Sequence, residues 1–331
     1  MKTISVLVAV YNAESTLNKC LDSLLTQTYP ALDIICVDDA STDESANILE
    51  QYAARDQRVQ VIHNGVNSGA PHARNIALQQ AHGELICYLD SDDWLATDAI
   101  ERCVKVFDQA PDVDCVLFNV KLYDPKKQSF TPYPSPPLQY LISGKEAFQR
   151  SLTWQLHGIY MVRAEIHKRI PYDDSCHLYS DDNTTRLHYL AARQVGQTDG
   201  TYFYRQHADS ATHQVSAKRY QYVDAARHLA ELLKDMDIEE KYLRTYETTR
   251  WRILVDTYKF HYCHRRKLTE KERSEGLQKI YREWNAINAR WIAPSLRRKF
   301  GYIPLRNSWT LFQWQEEAYF FLRSLLGKNK D

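Results

Sequence analysis

Two rhythms of apolar and polar positions alternate along residues 1–120. Ile4–Val10, a short apolar run rich in β-branched residues, predicts a central parallel strand, Asp33–Val37 a second buried strand, and Val59–His63, Glu84–Leu89 and Asp114–Val120 three more strands. Between them the apolar residues fall three and four apart, which is helical spacing. Ala13–Gln27 carries Leu17, Leu21, Leu24 and Leu25 in this way and stops before Pro30. A second helix follows Ser41-Thr42-Asp43-Glu44, an N-cap with an acidic first turn, and runs to about Ala54. A third spans Gly69–Ala81 with Gly83 as its stop, and a fourth spans Ala96–Gln109.

Strand and helix in strict alternation predict an α/β domain: a parallel sheet with helices on both faces. Ligands of such sheets bind beyond the carboxyl ends of the strands. Three polar clusters, Tyr11-Asn12, Asp38-Asp39 and Asp90-Ser91-Asp92, fall at those ends. Local propensity does not require the coincidence, so it points to one shared site.

Past residue 120 the rhythm changes. Pro125–Pro137 is Pro-rich and polar and reads as a connector. Ser143–Leu152 and Asp181–Ala192 read as helices, Trp154–Val162 as mixed apolar and aromatic chain, and the segment near Thr201–Arg205 as a strand. From about Ala217 glycine is sparse and helical periodicity dominates to the end, so a boundary is expected near residue 216.

Composition narrows the function classes. With 331 residues, 44% of them hydrophobic, the chain can bury one large domain plus an extension. Lys plus Arg equals Asp plus Glu, 42 each, which argues against a nucleic-acid partner. The charge is uneven: residues 290–331 carry +5 and many aromatics. That segment suits peripheral contact with a membrane surface, and packing on the rest of the chain or on a partner subunit is the plain alternative. Seven cysteines without a CxxC pair argue against a disulfide framework and fit a reducing cytoplasm. Ile4–Val10 runs into Tyr11-Asn12 with no small-residue cleavage site, so it reads as a strand and not as a signal peptide. No stretch approaches the ~20 apolar residues of a membrane span.

Several residue groups can carry chemistry. Asp90-Ser91-Asp92-Asp93 follows an apolar strand, where two carboxylates can bind a hard divalent cation such as Mg²⁺ or Mn²⁺. A solvated acidic turn is the bland reading. Asp39 can accept hydrogen bonds from a base or ribose, or cap a helix. Arg74, in the segment Asn67–Asn75, can reach a phosphate bidentately or form a structural salt bridge. Asp182, in Ser180-Asp181-Asp182-Asn183, is a general-base candidate or a cap. His207, after Tyr204-Arg205-Gln206, can ligate a metal or touch a phosphate. His261-Tyr262-Cys263-His264 lacks the second ligand pair of a zinc site and reads as helix surface. Neither a P-loop nor a dinucleotide fingerprint follows the first strand.

Taken together, Ser5–Asn12, Leu21–Tyr29, Val37–Asp43, Asn67–Asn75 and Gly83–Asp93 resemble glycosyltransferase family 2, in order and spacing across about the first 110 residues. The resemblance weakens between 120 and 216 and ends there. It implies a GT-A catalytic domain over 1–216, with a nucleotide-sugar half at 1–120 and an acceptor half at 121–216, and a helical C-terminal region over 217–331. It implies an inverting transferase that moves a sugar from a nucleoside-diphosphate sugar, a UDP-sugar foremost, to a glycan or lipid-linked glycan of the bacterial cell surface. Val10, Tyr11 and Asp39 would then hold the base. Arg74, Asp90 and Ser91 would flank the diphosphate. Asp90, Asp92 and His207 would serve the metal, and Asp182 would be the catalytic base. The family's Glu-Asp pair is Asp181-Asp182 here. A homo-oligomer is compatible with this reading. A nucleotidyl- or phosphotransferase, or a sugar-binding GT-A protein with weak catalysis, are the competing readings.

Overall fold

The computed structural model describes residues 1–176, 179–206, 215–236 and 238–327. Its contacts divide the chain into two compact units, Met1–His177 with Thr184–Ser210, and Leu178–Asn183 with Ala211–Asp331.

The first unit holds every strand among the described residues: β1 Ile4–Val10, β2 Leu32–Asp38, β3 Val59–His63, β4 Leu85–Tyr88, β5 Trp94–Leu95, β6 Val113–Asp124, β7 Ser129–Pro132, β8 Ile142–Ser143, β9 Tyr160–Arg163 and β10 Gln194–Arg205. The helices α1 Leu17–Leu25, α2 Ser45–Arg55, α3 Ala70–Gln80, α4 Ala99–Gln109, α5 Gly144–Ser151 and α6 Ala164–Arg169 pack around them. α7, Asp181–Ala191, begins in the second unit and continues in the first.

The strands make one sheet in the order β3-β2-β1-β4-β9-β6-β10-β5, with β7 on β6 and β8 on β10. β1 lies parallel to both β2 and β4. Its alternate residues serve two cores: Ile4, Val6, Val8 and Val10 face one, and Leu7 joins Ile35, Val37 and Ile86 in the other. Burial on both faces is why this strand is apolar apart from Ser5, whose buried hydroxyl donates to Asp33 Oδ2 at 2.8 Å, and each fully buried aliphatic side chain contributes about 1.5–3 kcal/mol.

The sheet is mixed, not wholly parallel. β9 runs antiparallel between β4 and β6, inside the stretch that read as mixed apolar chain. β6 runs on past Val120 to Asp124 and turns back into β7, so part of the expected Pro-rich connector is a hairpin. The Asp124 carboxylate holds the turn by accepting the Lys126 and Lys127 amides, and Gln128 takes φ +50°. Gly83 is needed for a close approach and not as a left-handed helix stop. A Cβ there would lie 2.5 Å from the Ser5 nitrogen, and its N–H donates to Ser5 Oγ at 2.8 Å.

The second unit is helical: α8 Gln221–Lys234, α9 Glu240–His264, α10 Glu270–Ala286, α11 Pro294–Arg297 and α12 Trp309–Leu325. They enclose Trp251, Tyr258, Trp284, Phe312 and Phe320. A buried ion triad links α9 to α10, with Arg250 between Glu247 at 2.9 Å and Glu283 at 2.6 Å. His261 corrects the expectation of a helix surface. It is buried, bonded to the Tyr220 hydroxyl at 2.7 Å, and burial lowers its pKa to about 4. Tyr220 can place that hydroxyl because α10 has Gly276 against its ring. No helix among the described residues is long and apolar enough to cross a membrane.

Candidate active site

β2, β1 and β4 are adjacent and parallel, so their carboxyl ends share one edge. The turns after β1 and β2 are tied together there. Asp39 N–H donates to Val10 O at 2.8 Å, Asn12 N–H to Ser41 Oγ at 3.1 Å, and Thr42 N–H to Asn12 Oδ1 at 2.8 Å. Asn12 and Ala40 both lie at positive φ, +49° and +62°. Asn tolerates this backbone, whereas Ala is strained there by roughly 1–2 kcal/mol. Beside the turn Val10 is buried and Tyr11 is half exposed, its ring available to a flat ligand.

Asp39 is buried, and both its oxygens are in use. They accept Asn64 Nδ2 at 2.8 Å, Ser68 N–H at 3.0 Å and Gly69 N–H at 2.7 Å. Its visible work is to fix the approach to α3, where Gly69 turns at φ +91°. That placement in turn sets Arg74, on the second turn of α3. Arg74 is buried, with its guanidinium 4.2 Å from the Tyr88 ring centre and 5.5 Å from that of Tyr172, and it is ion-paired with Asp90. The structural salt bridge is thus the contact the structure holds.

The acidic turn joins β4 to β5, and β5 pairs with β10. Asp93 N–H closes the turn on Asp90 O at 3.0 Å. Asp90, Ser91 and Asp92 are half-buried, whereas Asp93 is enclosed. The Asp93 carboxylate accepts the Tyr202 hydroxyl at 2.8 Å and the Arg205 N–H at 2.6 Å. Burial, with repulsion from Asp90 and Asp92, pushes its pKa up to about 9 against those two hydrogen bonds. The same carboxylates, after burial, raise the Tyr204 hydroxyl to about 12. Arg205 Nε donates to Asp92 O at 2.9 Å, and its guanidinium lies 5.1 Å from the Trp94 ring. Lys19 Nζ lies 3.4 Å from the centre of the same ring, and burial and Arg205 lower its pKa.

The first unit therefore gathers Val10, Tyr11, Asp39, Arg74, Asp90, Ser91 and Asp92 on the carboxyl side of its sheet. Asp182 belongs to the second unit, half-buried on the first turn of α7, its N–H donating to the Asp181 carboxylate at 3.1 Å. His207 lies outside the described residues. Tyr202, Arg205 and Lys19 add to the site. Arg205 stood inside a segment that the sequence singled out, but Lys19 and Tyr202 carried no signal, since only tertiary pairing brings α1 and β10 to the acidic turn.

Among the described residues no cluster of three or more His, Cys, Asp or Glu forms a ready-made metal cage. The donor chemistry of the turn still fits a hard cation. Asp90 and Asp92 offer carboxylate oxygens at half-buried positions, and Mg²⁺ or Mn²⁺ takes few protein ligands and completes its shell from water and phosphate.

This mixed sheet with an acidic turn on its carboxyl side is the GT-A glycosyltransferase fold. The chain is similar to S. aureus TarS 1-349 in complex with UDP-GlcNAc, with a TM-score of 0.74 and 19% identity over 99% of this chain and 93% of that one. The model of glycosyl transferase family 2 matches residues 5–170, and the chain belongs to that family. Glycosyltransferase GlyG of Streptococcus pneumoniae is 29% identical over 62% of this chain and 72% of its own. The poly(ribitol-phosphate) beta-glucosyltransferase of Bacillus spizizenii is 50% identical over 102 residues, which are 30% of this chain and 16% of that protein's length.

Proposed function

We propose that the protein is a divalent-cation-dependent, inverting hexosyltransferase that moves a sugar from a UDP-sugar to a hydroxyl of a bacterial surface glycan. The acidic turn Asp90–Asp93, held by Arg74 on one side and by Arg205 on the other, is the observation that carries this reading. The names of the similar proteins, a UDP-GlcNAc complex and a polyol-phosphate glucosyltransferase among them, support the donor and acceptor classes.

In this account Val10 and Tyr11 receive the base at the end of β1. Asp39 keeps the loop before α3 in place around it. Asp90 and Asp92 would hold Mg²⁺ or Mn²⁺, which supplies positive charge to the departing diphosphate. Arg74 keeps Asp90 oriented, and Asp93 keeps the turn anchored to β10. Asp182 takes the proton of the acceptor hydroxyl. The acceptor oxygen bonds to the anomeric carbon as the bond to the diphosphate oxygen breaks, and one displacement inverts the configuration.

A panel of nucleoside-diphosphate sugars with Mn²⁺, read by thermal stabilisation and followed by proton NMR of the product, tests the proposal. A UDP-sugar should stabilise the protein and give an inverted anomeric centre. Retained configuration would overturn the single displacement. Equal indifference to every nucleotide sugar would overturn the donor class.

A further inference from the structure

α12 is apolar on two faces. Phe312 and Phe320 are enclosed in the helical core, while Leu311, Trp314, Phe321, Leu322, Leu325 and Leu326 are exposed, from 49% to 75%. With Ala318 also exposed, these follow helical spacing and form one stripe through the C-cap. The charged side chains of this helix are engaged elsewhere. Glu316 is buried, Glu317 accepts Arg265 Nη1 at 2.9 Å, and Arg323 donates to the Tyr319 hydroxyl at 3.3 Å.

A basic run flanks the stripe. Arg297, Arg298, Lys299 and Phe300 are all exposed. Phe300 packs edge-on against Tyr319 of α12 with ring centres 5.8 Å apart, and Gly301 abuts the same ring. The run is therefore fixed beside the stripe.

A continuous exposed apolar surface of several hundred Å² is rarely left in water. A second copy docking by two-fold symmetry would set the same patch against itself, but the acidic side chains of α12, buried at Glu316 and ion-paired at Glu317, would not answer the basic run. An anionic bilayer satisfies both features at once. Trp and the aliphatic side chains enter the boundary between headgroups and acyl chains, and Arg and Lys meet the phosphates. We infer that the exposed face of α12, with residues 297–300, docks the protein on an anionic lipid bilayer, lying in its interface without crossing it.

Co-sedimentation of the full chain with vesicles tests this directly. Phosphatidylglycerol–phosphatidylcholine vesicles should pellet the protein at low salt, and phosphatidylcholine alone should do so at least about tenfold less well. Trp314→Ser with Leu325→Ser should weaken partition about tenfold, and so should Arg297→Gln with Arg298→Gln and Lys299→Gln. Both variants alter exposed side chains, so their thermal unfolding should match the parent. The inference is overturned if the parent stays in the supernatant with both vesicle types, or if the variants bind as it does. It is equally overturned if sedimentation velocity shows a dimer that Trp314→Ser with Leu325→Ser abolishes while vesicle binding is absent.

Discussion

Arg74, buried on α3, is ion-paired with Asp90, sixteen residues later, at the head of the acidic turn. The pair couples the loop organised by Asp39 to the carboxylates that would hold a cation. Its two ends differ: the Arg74 side chain is 5% exposed and that of Asp90 34%, so removing the cation strands a charge that water reaches only in part.

Arg74→Ala should therefore destabilise the protein by about 1–3 kcal/mol, a buried-pair cost discounted for the exposure of Asp90. It should also lower kcat/KM at least about tenfold, because Asp90 loses its orientation. Arg74→Lys keeps the charge but not the planar guanidinium, which lies 4.2 Å from the Tyr88 ring centre and 5.5 Å from that of Tyr172, and should fall between the two. Denaturant titration and donor-turnover kinetics check both effects. Unchanged kcat/KM in Arg74→Ala would remove Arg74 from the site.

Asp93 gives a pH dependence of definite sign. Its folded pKa is raised to about 9, above the ordinary carboxylate value, so the folded state holds the proton more tightly than the unfolded one. Its contribution to stability is whole below about pH 4 and is lost as pH rises towards 9. Asp93→Asn removes this titration with little change of shape. Between pH 5 and 8, without divalent cation, the variant should gain on the parent by about 1 kcal/mol per pH unit, measured by urea unfolding. A difference that does not vary with pH would show that Asp93 titrates normally.

Much of the fold was legible because the central strands are buried and strongly apolar, as at Ile4–Val10; the edge strand Val59–His63 is partly exposed and carries Gln60 and His63, yet both segments have coincident bounds in sequence and structure. The edge position of Asp39 and Asp90 followed from the same alternation. β9 and the β6–β7 hairpin were not legible. β9 pairs with β4 and β6, strands far along the chain, whereas β7 folds back locally on β6, and its Pro and polar side chains are tolerated because it lies at the margin of the sheet. Within the site, the residue types of Arg74 and Asp39 left their partners open, and only packing shows that Arg74 meets Asp90 and that Asp39 serves the loop before α3. The contribution of Lys19 was invisible, since nothing in the spacing of α1 marks which polar residue meets Trp94.

Asp182 carries the base assignment. Asp182→Asn should cut kcat by about 10² or more and leave donor affinity unchanged, as loss of a general base does. Single-turnover kinetics with a titration of donor binding separate the two quantities. Loss of donor affinity with kcat preserved would make Asp182 a cap of α7 instead.

Cation-dependent sugar transfer at the acidic turn is read by UDP release from a UDP-sugar by the full chain, with Mn²⁺ and then with excess chelator, for the parent and for Asp92→Asn. Release is expected with Mn²⁺ and is lost in chelator, and Asp92→Asn is expected to be at least about 10²-fold slower, with thermal unfolding of the cation-free proteins alike. Equal rates with and without chelator, or an Asp92→Asn protein as active as the parent, would contradict a cation-dependent sugar transfer at this turn.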